Sequence, residues 1–418
     1  MKNEASINFT DALKIPNIRF FLGSVGFFTL ASRAMAVVIS FQIYQLTHNP
    51  WNLGWLGLIE ALPTLSLVLF GGYVADHYNR RMILLITRSA SLLCALFLAQ
   101  LSMQHEATPL FGLYFVVFLA GVARGFADPA NSAFEAQVVP KHLIVNGSSW
   151  IASTWIGCSF AGPAIIGFAF ESFGAVGAYM IVSSFFMVSC ICTMMIDPAP
   201  QTKPLAKEPI LKSIALGWNF VFKNQALWAA MALDLFAVLF GGAMALLPIY
   251  ADDILHVGAR GFGLLNAAPS IGALIIMLIA THYAPQIIKH AGRNLLLTVV
   301  GFGISILIFA FSTNFYLSMT MLALSGIFDG ISMVIRRSLV RLLSPDDMRG
   351  RIASVSWIFV CSSNELGAFE SGMVAALIGA VPCVAVGGIV TLLVVLGAAA
   401  LAPQLRNLRF DPKTLSRI

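Results

Sequence analysis

The sequence predicts an all-α membrane protein of about twelve transmembrane helices in two pseudo-symmetric six-helix halves. Three observations predict it. Hydrophobic residues make up 58% of the 418 positions and charged residues only 11%, too little polar surface for a soluble domain. Apolar stretches long enough to span a bilayer follow one another, separated by short polar breaks. The chain also echoes itself: the stretch 57–63 (GLIEALP) recurs at 263–269 (GLLNAAP), and Gly121, Gly125 and Pro140 recur 205 positions later as Gly326, Gly330 and Pro345.

Spans are expected near 18–46, 51–76, 82–103, 109–137, 142–171 and 173–196, then near 225–252, 259–284, 294–312, 314–343, 350–379 and 381–402. The first 17 residues are polar and mixed in charge, and the run that follows is too long for a signal peptide, so no cleavable signal is expected. The polar stretch 197–224 holds Pro198, Pro200, Pro204, Pro209 and four Lys. It is read as a cytoplasmic linker between an N-terminal half, 1–196, and a C-terminal half, 225–418, that ends in a cytoplasmic tail. Within it, Ile214, Trp218 and Val221 share a helical face, the pattern of an interfacial helix. The cysteines (Cys94, Cys158, Cys190, Cys192, Cys361 and Cys383) lie inside apolar runs without metal-type spacing. They are read as small buried side chains, with no metal and no cofactor expected.

A net charge of +6 would suit a nucleic-acid partner, but its placement rejects one. Breaks near Asn79, His142, Pro200, His290 and Pro345 carry Arg80, Arg81, Lys141, Lys289, Arg293, Arg349 and Arg351. The alternate breaks, near His48, Gln104, Ser172, Asp253, Thr313 and Ala380, carry only Arg260. Under the positive-inside rule the basic breaks and both termini are cytoplasmic, which requires an even number of spans. The basic balance records topology. It implies a multi-pass membrane protein with both termini cytoplasmic.

The stretch 72–85 (GYVADHYNRRMILL) carries Gly72, Ala75, Asp76, Arg80, Arg81 and Leu85 at the spacing of the loop that joins the second and third helices in the major facilitator superfamily. The fifth span carries Gly157, Gly162, Pro163 and Gly167, a partial match to the glycine-rich helix-packing motif of that superfamily's proton-driven exporters. Nearly the whole chain resembles this superfamily. The stretches QIYQLTHNPWNLGWLGLIEALP, LDLFAVLFGG, LPIYADDILHVGARGFGLLNAAPSIGAL and RGRIASVSWIFVCSSNELGAFESG resemble its branch of enterobactin (siderophore) exporters and macrolide efflux proteins. The loop departs from the family pattern at Val74, His77 and Asn79. Asn79 is read as a residue able to take the left-handed conformation where the family has Gly. The resemblance assigns gating to this loop: Asp76 against the helix start near Arg349, and Arg80 or Arg81 paired with Glu135. The second-half copy lacks these charges (Thr281, Pro285, Gln286), so gating by such a relay is expected to be lopsided.

An ionised side chain at mid-bilayer costs about 2.5–3.5 kcal/mol on insertion scales, so each one needs a reason. The resemblance makes the first, fourth, seventh and tenth helices the cavity lining, and each carries mid-span charge: Arg33; Arg124 and Asp128; Asp234; Asp329 and Arg336. Glu60, Glu365 and Glu370 add carboxylates. Arg124–Asp128 and Asp329–Arg336 each share a helix face, and the first pair reads equally as a structural ion pair or a substrate contact. Carboxylates outnumber the guanidinium groups, so at least one of Glu60, Asp234, Glu365 and Glu370 is expected to lack a cationic partner; the resemblance brings the seventh, tenth and eleventh helices close, which makes Asp234, Asp329 and Glu365 the proton-coupling candidates. Arg33, Glu60, Arg124, Asp128, Phe236, Phe240, Arg336 and Glu370 are the substrate-cavity candidates, with Phe27 and Phe28 as further wall residues.

The expected function is secondary active transport by alternating access, not catalysis, since no nucleophile–base set occurs at mid-span. A proton-coupled exporter of an amphipathic small molecule comes first, a siderophore above all. Multidrug or macrolide efflux is the alternative, and a lipid flippase comes after it. The expected partners are the substrate, H+, the lipid bilayer and an outer-membrane export partner, with the protein a monomer.

Overall fold

The computed structural model describes residues 11–104, 108–197, 210–241, 243–345 and 348–410, and within them the chain is helical with no strand. The helices are α1 (Pro16–Thr47), α2 (Pro50–His77), α3 (Arg80–Ser102), α4 (Leu110–Val138), α5 (Ile144–Met194), α6 (Ile210–Lys223), α7 (Gln225–Phe240) and α8 (Ala243–Ile249). They continue with α9 (Gly258–Lys289), α10 (Ala291–Ala310), α11 (Phe315–Leu343), α12 (Arg349–Ile378), α13 (Ala380–Leu401) and the short α14 (Pro403–Arg406). Among the described residues, nine helices are long and apolar enough to cross a membrane, or ten with the bent α2 counted as one span. The long α5 contains both the fifth and sixth expected spans, and α12 is another full-length helix, which brings the total to the dozen or so expected.

Asparagine caps start three of the helices. Asn79, Asn224 and Asn314 each accept hydrogen bonds from the two backbone N–H groups two and three residues on, which fixes the starts of α3, α7 and α11. Asn79 is therefore extended, with φ −64° and ψ 110°, and not left-handed as its place in the loop motif suggested. True left-handed glycines stand elsewhere. Gly174 (φ 66°) breaks the long α5, and Gly379 (φ 90°) separates α12 from α13, 205 positions later. The internal repeat thus extends to a backbone conformation.

The chain forms two compact units, residues 1–42 with 62–206 and residues 43–61 with 207–418. In the first, α3 packs on α4 and α5 around a core that includes Ile18, Phe21, Ile83, Leu84, Phe134 and Ile151, with the Phe21 and Phe134 rings edge to face at 5.7 Å. α2 crosses α4 with almost no space between backbones: a Cβ added at Gly125 would meet Leu67 Cβ at 3.0 Å, and one added at Gly71 would collide with the Gly125 carbonyl oxygen. In the second unit α9 and α11 make the corresponding crossing, where a Cβ at Gly326 would collide with the Pro269 carbonyl oxygen. The residues that recur in sequence are those that set these crossings, where small side chains let helices approach.

Residues 43–61 group with the second unit, although they belong to the first half of the sequence. Gly54 and Gly372 bring the start of α2 against α12, where Trp55 and Phe369 meet edge to face at 5.7 Å, and the Tyr44 hydroxyl donates to the Asp253 carboxylate. The seventh span also differs from the continuous helix expected. It breaks at Gly241, resumes as α8 and ends in a π-helical turn, Tyr250–Ile254. Within the linker, α6 packs on α12: Trp218 stacks on Phe359 at 5.6 Å, and Val221 is buried with Met231, Ile352 and Val355. The Ile214 side chain lies outside the described residues.

Candidate functional site

Asp234 lies on α7 with 6% of its surface exposed, and the mid-span Arg336 of α11 reaches it. The guanidinium spans two carboxylates, since its Nη1 pairs with Asp234 Oδ2 and its Nη2 donates to Asp329 Oδ1 at 3.4 Å. Asp329 and Arg336 share a face of α11 two turns apart, as their spacing implied. The contact with Asp234 crosses from one helix to another, which spacing could not reveal. The side chain of Asp329 is 41% exposed and that of Asp234 only 7%. Two carboxylates on one guanidinium leave a net charge of −1, and one proton neutralises the cluster. A buried charged group must be paired and hydrogen-bonded to be tolerated, which explains why Arg336 stands between them.

The other candidates in this unit lie on α7, α12 and α2. Phe236 and Phe240 lie one turn apart on α7 with rings nearly parallel (10°) and centroids 6.3 Å apart, a stacked aromatic face. Glu365 and Glu370 are half-buried on α12, and Glu370 accepts a hydrogen bond from Ser371 at 3.3 Å. Glu60, half-buried, is on α2. At the end of α1 and in the π-turn, potential ligand atoms of His48, Asp252 and Asp253 lie within 4.8 Å of one another, a grouping the sequence reading did not anticipate.

In the first unit, Arg124 and Asp128 form the expected one-turn ion pair at 3.6 Å, both more than a third exposed. The exposed Arg33 lies over the Trp155 ring at 5.9 Å. Gly162 is pressed against the α1 backbone, where a Cβ would meet the Leu30 carbonyl oxygen at 2.6 Å, and Pro163 and Gly167 are buried beside it. Gly157 faces open space. Phe27 and Phe28 pair with Phe185 and Phe186 in the second part of α5.

The loop residues Arg80, Arg81 and Glu135 have described contacts within the first unit. Arg80 pairs with Asp76 at 3.9 Å and donates to the carbonyls of Ala75 (3.0 Å) and Ala133 (3.1 Å), the latter on α4. Arg81 donates to the carbonyls of Thr193 (3.3 Å) and Met194 (2.6 Å) at the end of α5. Both bind helix-end carbonyl oxygens, where partial negative charge collects. Glu135 accepts a hydrogen bond from Ser148 at 3.0 Å. Gly72 has open space around it, and the close approach belongs to Gly71. The side chains of Arg349, Thr281 and Pro285 lie outside the described residues.

Sequence reasoning missed Arg88, which is 2% exposed on α3. Its guanidinium donates to Ser24 on α1, Thr193 on α5 and, at 3.4 Å, Asn131 on α4, and it lies over the Phe28 ring at 5.6 Å. Its bonded partners among the described residues are all neutral. The signal was available, because Arg88 interrupts an apolar span as Arg33 and Arg124 do. It was passed over because α3 was not among the helices assigned to the cavity.

Comparison with known proteins matches this architecture. The chain is 23% identical over 383 residues to the enterobactin exporter EntS of Citrobacter koseri and 22% identical to that of Escherichia coli, in each case across 90% of both sequences. Among solved structures it is similar to the nucleoside transporter NupG (TM-score 0.72, 14% identity, 92% of this chain and 99% of that one). It is also similar to the POT family transporter PepTSo (TM-score 0.73, 12% identity, 94% and 98%). Residues 22–368 match the Major Facilitator Superfamily, and the chain belongs to that family: it is a multi-pass membrane transporter.

Proposed function

We propose that this protein is a proton-coupled exporter that moves an amphipathic small molecule outward across a bacterial inner membrane by alternating access, a catecholate siderophore first. The observation that carries the reading is the Asp234–Arg336–Asp329 cluster, with Asp234 buried and Asp329 partly exposed. A transporter that exchanges a proton for a substrate needs a group whose charge changes inside the membrane, and intramembrane acids mark such relays. One proton takes this cluster from a charge of −1 to neutral without leaving either carboxylate unpaired. Export is supported by relatives named as exporters and by Gly162 and Pro163, which stand where the exporters' packing motif has them. The stacked Phe236 and Phe240 offer a flat aromatic surface suited to a ring-bearing ligand. That surface also favours the second reading, efflux of macrolides or lipophilic drugs.

Inside-out vesicles with an acidic lumen and a fluorescent pH probe test both readings. Addition of a catecholate siderophore is expected to release protons from the lumen, more strongly than macrolides or lipophilic cations do, and only when the protein is present. Release with macrolides alone favours drug efflux. Folded protein that stays silent across the panel overturns proton-coupled export of either class.

A further inference from the structure

Beside the Asp234–Arg336–Asp329 cluster lies a small, partly open cavity of about 10 Å³ whose wall is mainly apolar and carries the polar groups of Asp234 on α7, Thr298 on α10, and Asp329 and Ser332 on α11. Ser332 is 3% exposed, and its hydroxyl has no hydrogen-bond partner. Arg336 Nε, one turn along the same face of α11, is likewise buried without a partner. The Thr298 hydroxyl already donates to the Leu295 carbonyl at 2.8 Å, so toward the cavity it can only accept. A small, partly open space whose wall carries two carboxylates and two hydroxyls, one of them unsatisfied, offers the polar partners that an ordered water needs.

We infer that this cavity holds a single water that passes the coupling proton between Asp329 and Asp234, and that Ser332 positions it. The inference rests on the proton-coupled reading above. Asp329 is the exposed member of the pair and Asp234 the buried one. Protonated Asp329 gives its proton to the water, which gives another of its protons to the Asp234 carboxylate. The products are ionised Asp329, neutral Asp234 and the regenerated water, and the net charge around Arg336 is unchanged. Other charged side chains on the three helices are Arg293 at the start of α10 and Arg337 and Arg341 on α11; α12, which packs on α7, carries Glu365 and Glu370, and the acids that line the cavity are Asp234 and Asp329. A metal cation fits poorly, because Arg336 already fills the cationic position between the carboxylates and the space admits no ligand shell.

The test uses full-length protein in proteoliposomes on a solid-supported membrane, with pH jumps and no substrate. Wild type is expected to give a charge-displacement transient that Asp234→Asn abolishes. Ser332→Ala should retain its amplitude with a rate about tenfold lower, the weight of one hydrogen bond in a barrier. Ser332→Thr, which keeps the hydroxyl, should restore the rate, with all variants matching wild type in thermal unfolding. A Ser332→Ala transient as fast as wild type overturns the relay, as does a Ser332→Thr transient no faster than Ser332→Ala. A current evoked by a sodium jump at constant pH, and lost in Ser332→Ala, makes the cavity a sodium site and overturns it too. A wild type without an Asp234-dependent transient removes the proton-coupled reading itself.

Discussion

Arg88 and Arg336 are both buried arginines, and their surroundings call for opposite responses to the same substitution. Arg336 holds two carboxylates, so Arg336→Met strands buried negative charge and is expected to cost about 3–5 kcal/mol. Arg88 has neutral partners, and Ser24 and Thr193 also hydrogen-bond each other. A methionine of similar volume removes a desolvated charge without stranding another, so Arg88→Met is expected within about 1 kcal/mol of wild type. Arg88→Ala leaves a cavity and should cost about 2–4 kcal/mol. Thermal unfolding in detergent ranks the three, and Arg88→Met as damaging as Arg336→Met contradicts the account. Asp234, Asp329 and Arg336 were legible in the sequence because ionisable residues in apolar runs announce themselves. Their partnership was not, because helix spacing says which residues share a face and nothing of which helix that face meets.

Two adjacent glycines carry the argument at the scale of the element. The family motif points to Gly72, but backbone proximity points to Gly71, whose missing side chain lets α2 meet the Gly125 carbonyl of α4. Gly71→Ala is expected to destabilise by about 1–3 kcal/mol through overpacking. Gly72→Ala should be neutral or stabilising by up to about 1 kcal/mol, because alanine favours a helix interior and has room there. Equal effects of the two in thermal unfolding would dismiss this view of the crossing. In the loop beyond, Asp76 and Arg80 are a partly exposed pair 3.9 Å apart. If Asp76 gates, Asp76→Asn slows transport, and unchanged turnover removes it from the gate. Helix positions were readable from hydropathy almost throughout. The break at Gly241 and the grouping of residues 43–61 with α12 were not, because each depends on a close approach to a distant segment that leaves no periodic trace in the local sequence.

At the scale of the whole molecule, the chain is one helical unit written twice. The second writing keeps the glycines that set helix crossings and turns, Gly326 and Gly379, and drops the charges of the loop after α2. Packing constrains both halves alike, so the repeat shows through in packing residues. The proposed chemistry is unequal, with the buried acid–guanidinium cluster in the second unit and the neutral-partnered Arg88 in the first. Fold and family follow from the repeated pattern and were legible early; the proposed coupling site depends on one contact between α7 and α11.

The most direct test of the central claim separates two modes of transport by Asp234→Asn in proteoliposomes, using whichever compound drives proton release in vesicles. Equilibrium exchange of substrate across the membrane needs no net proton movement, whereas accumulation driven by a pH gradient does. The account predicts that Asp234→Asn keeps exchange near the wild-type rate and loses gradient-driven accumulation. Normal accumulation in that variant, with folding intact, would contradict a coupling role for the Asp234–Arg336–Asp329 cluster.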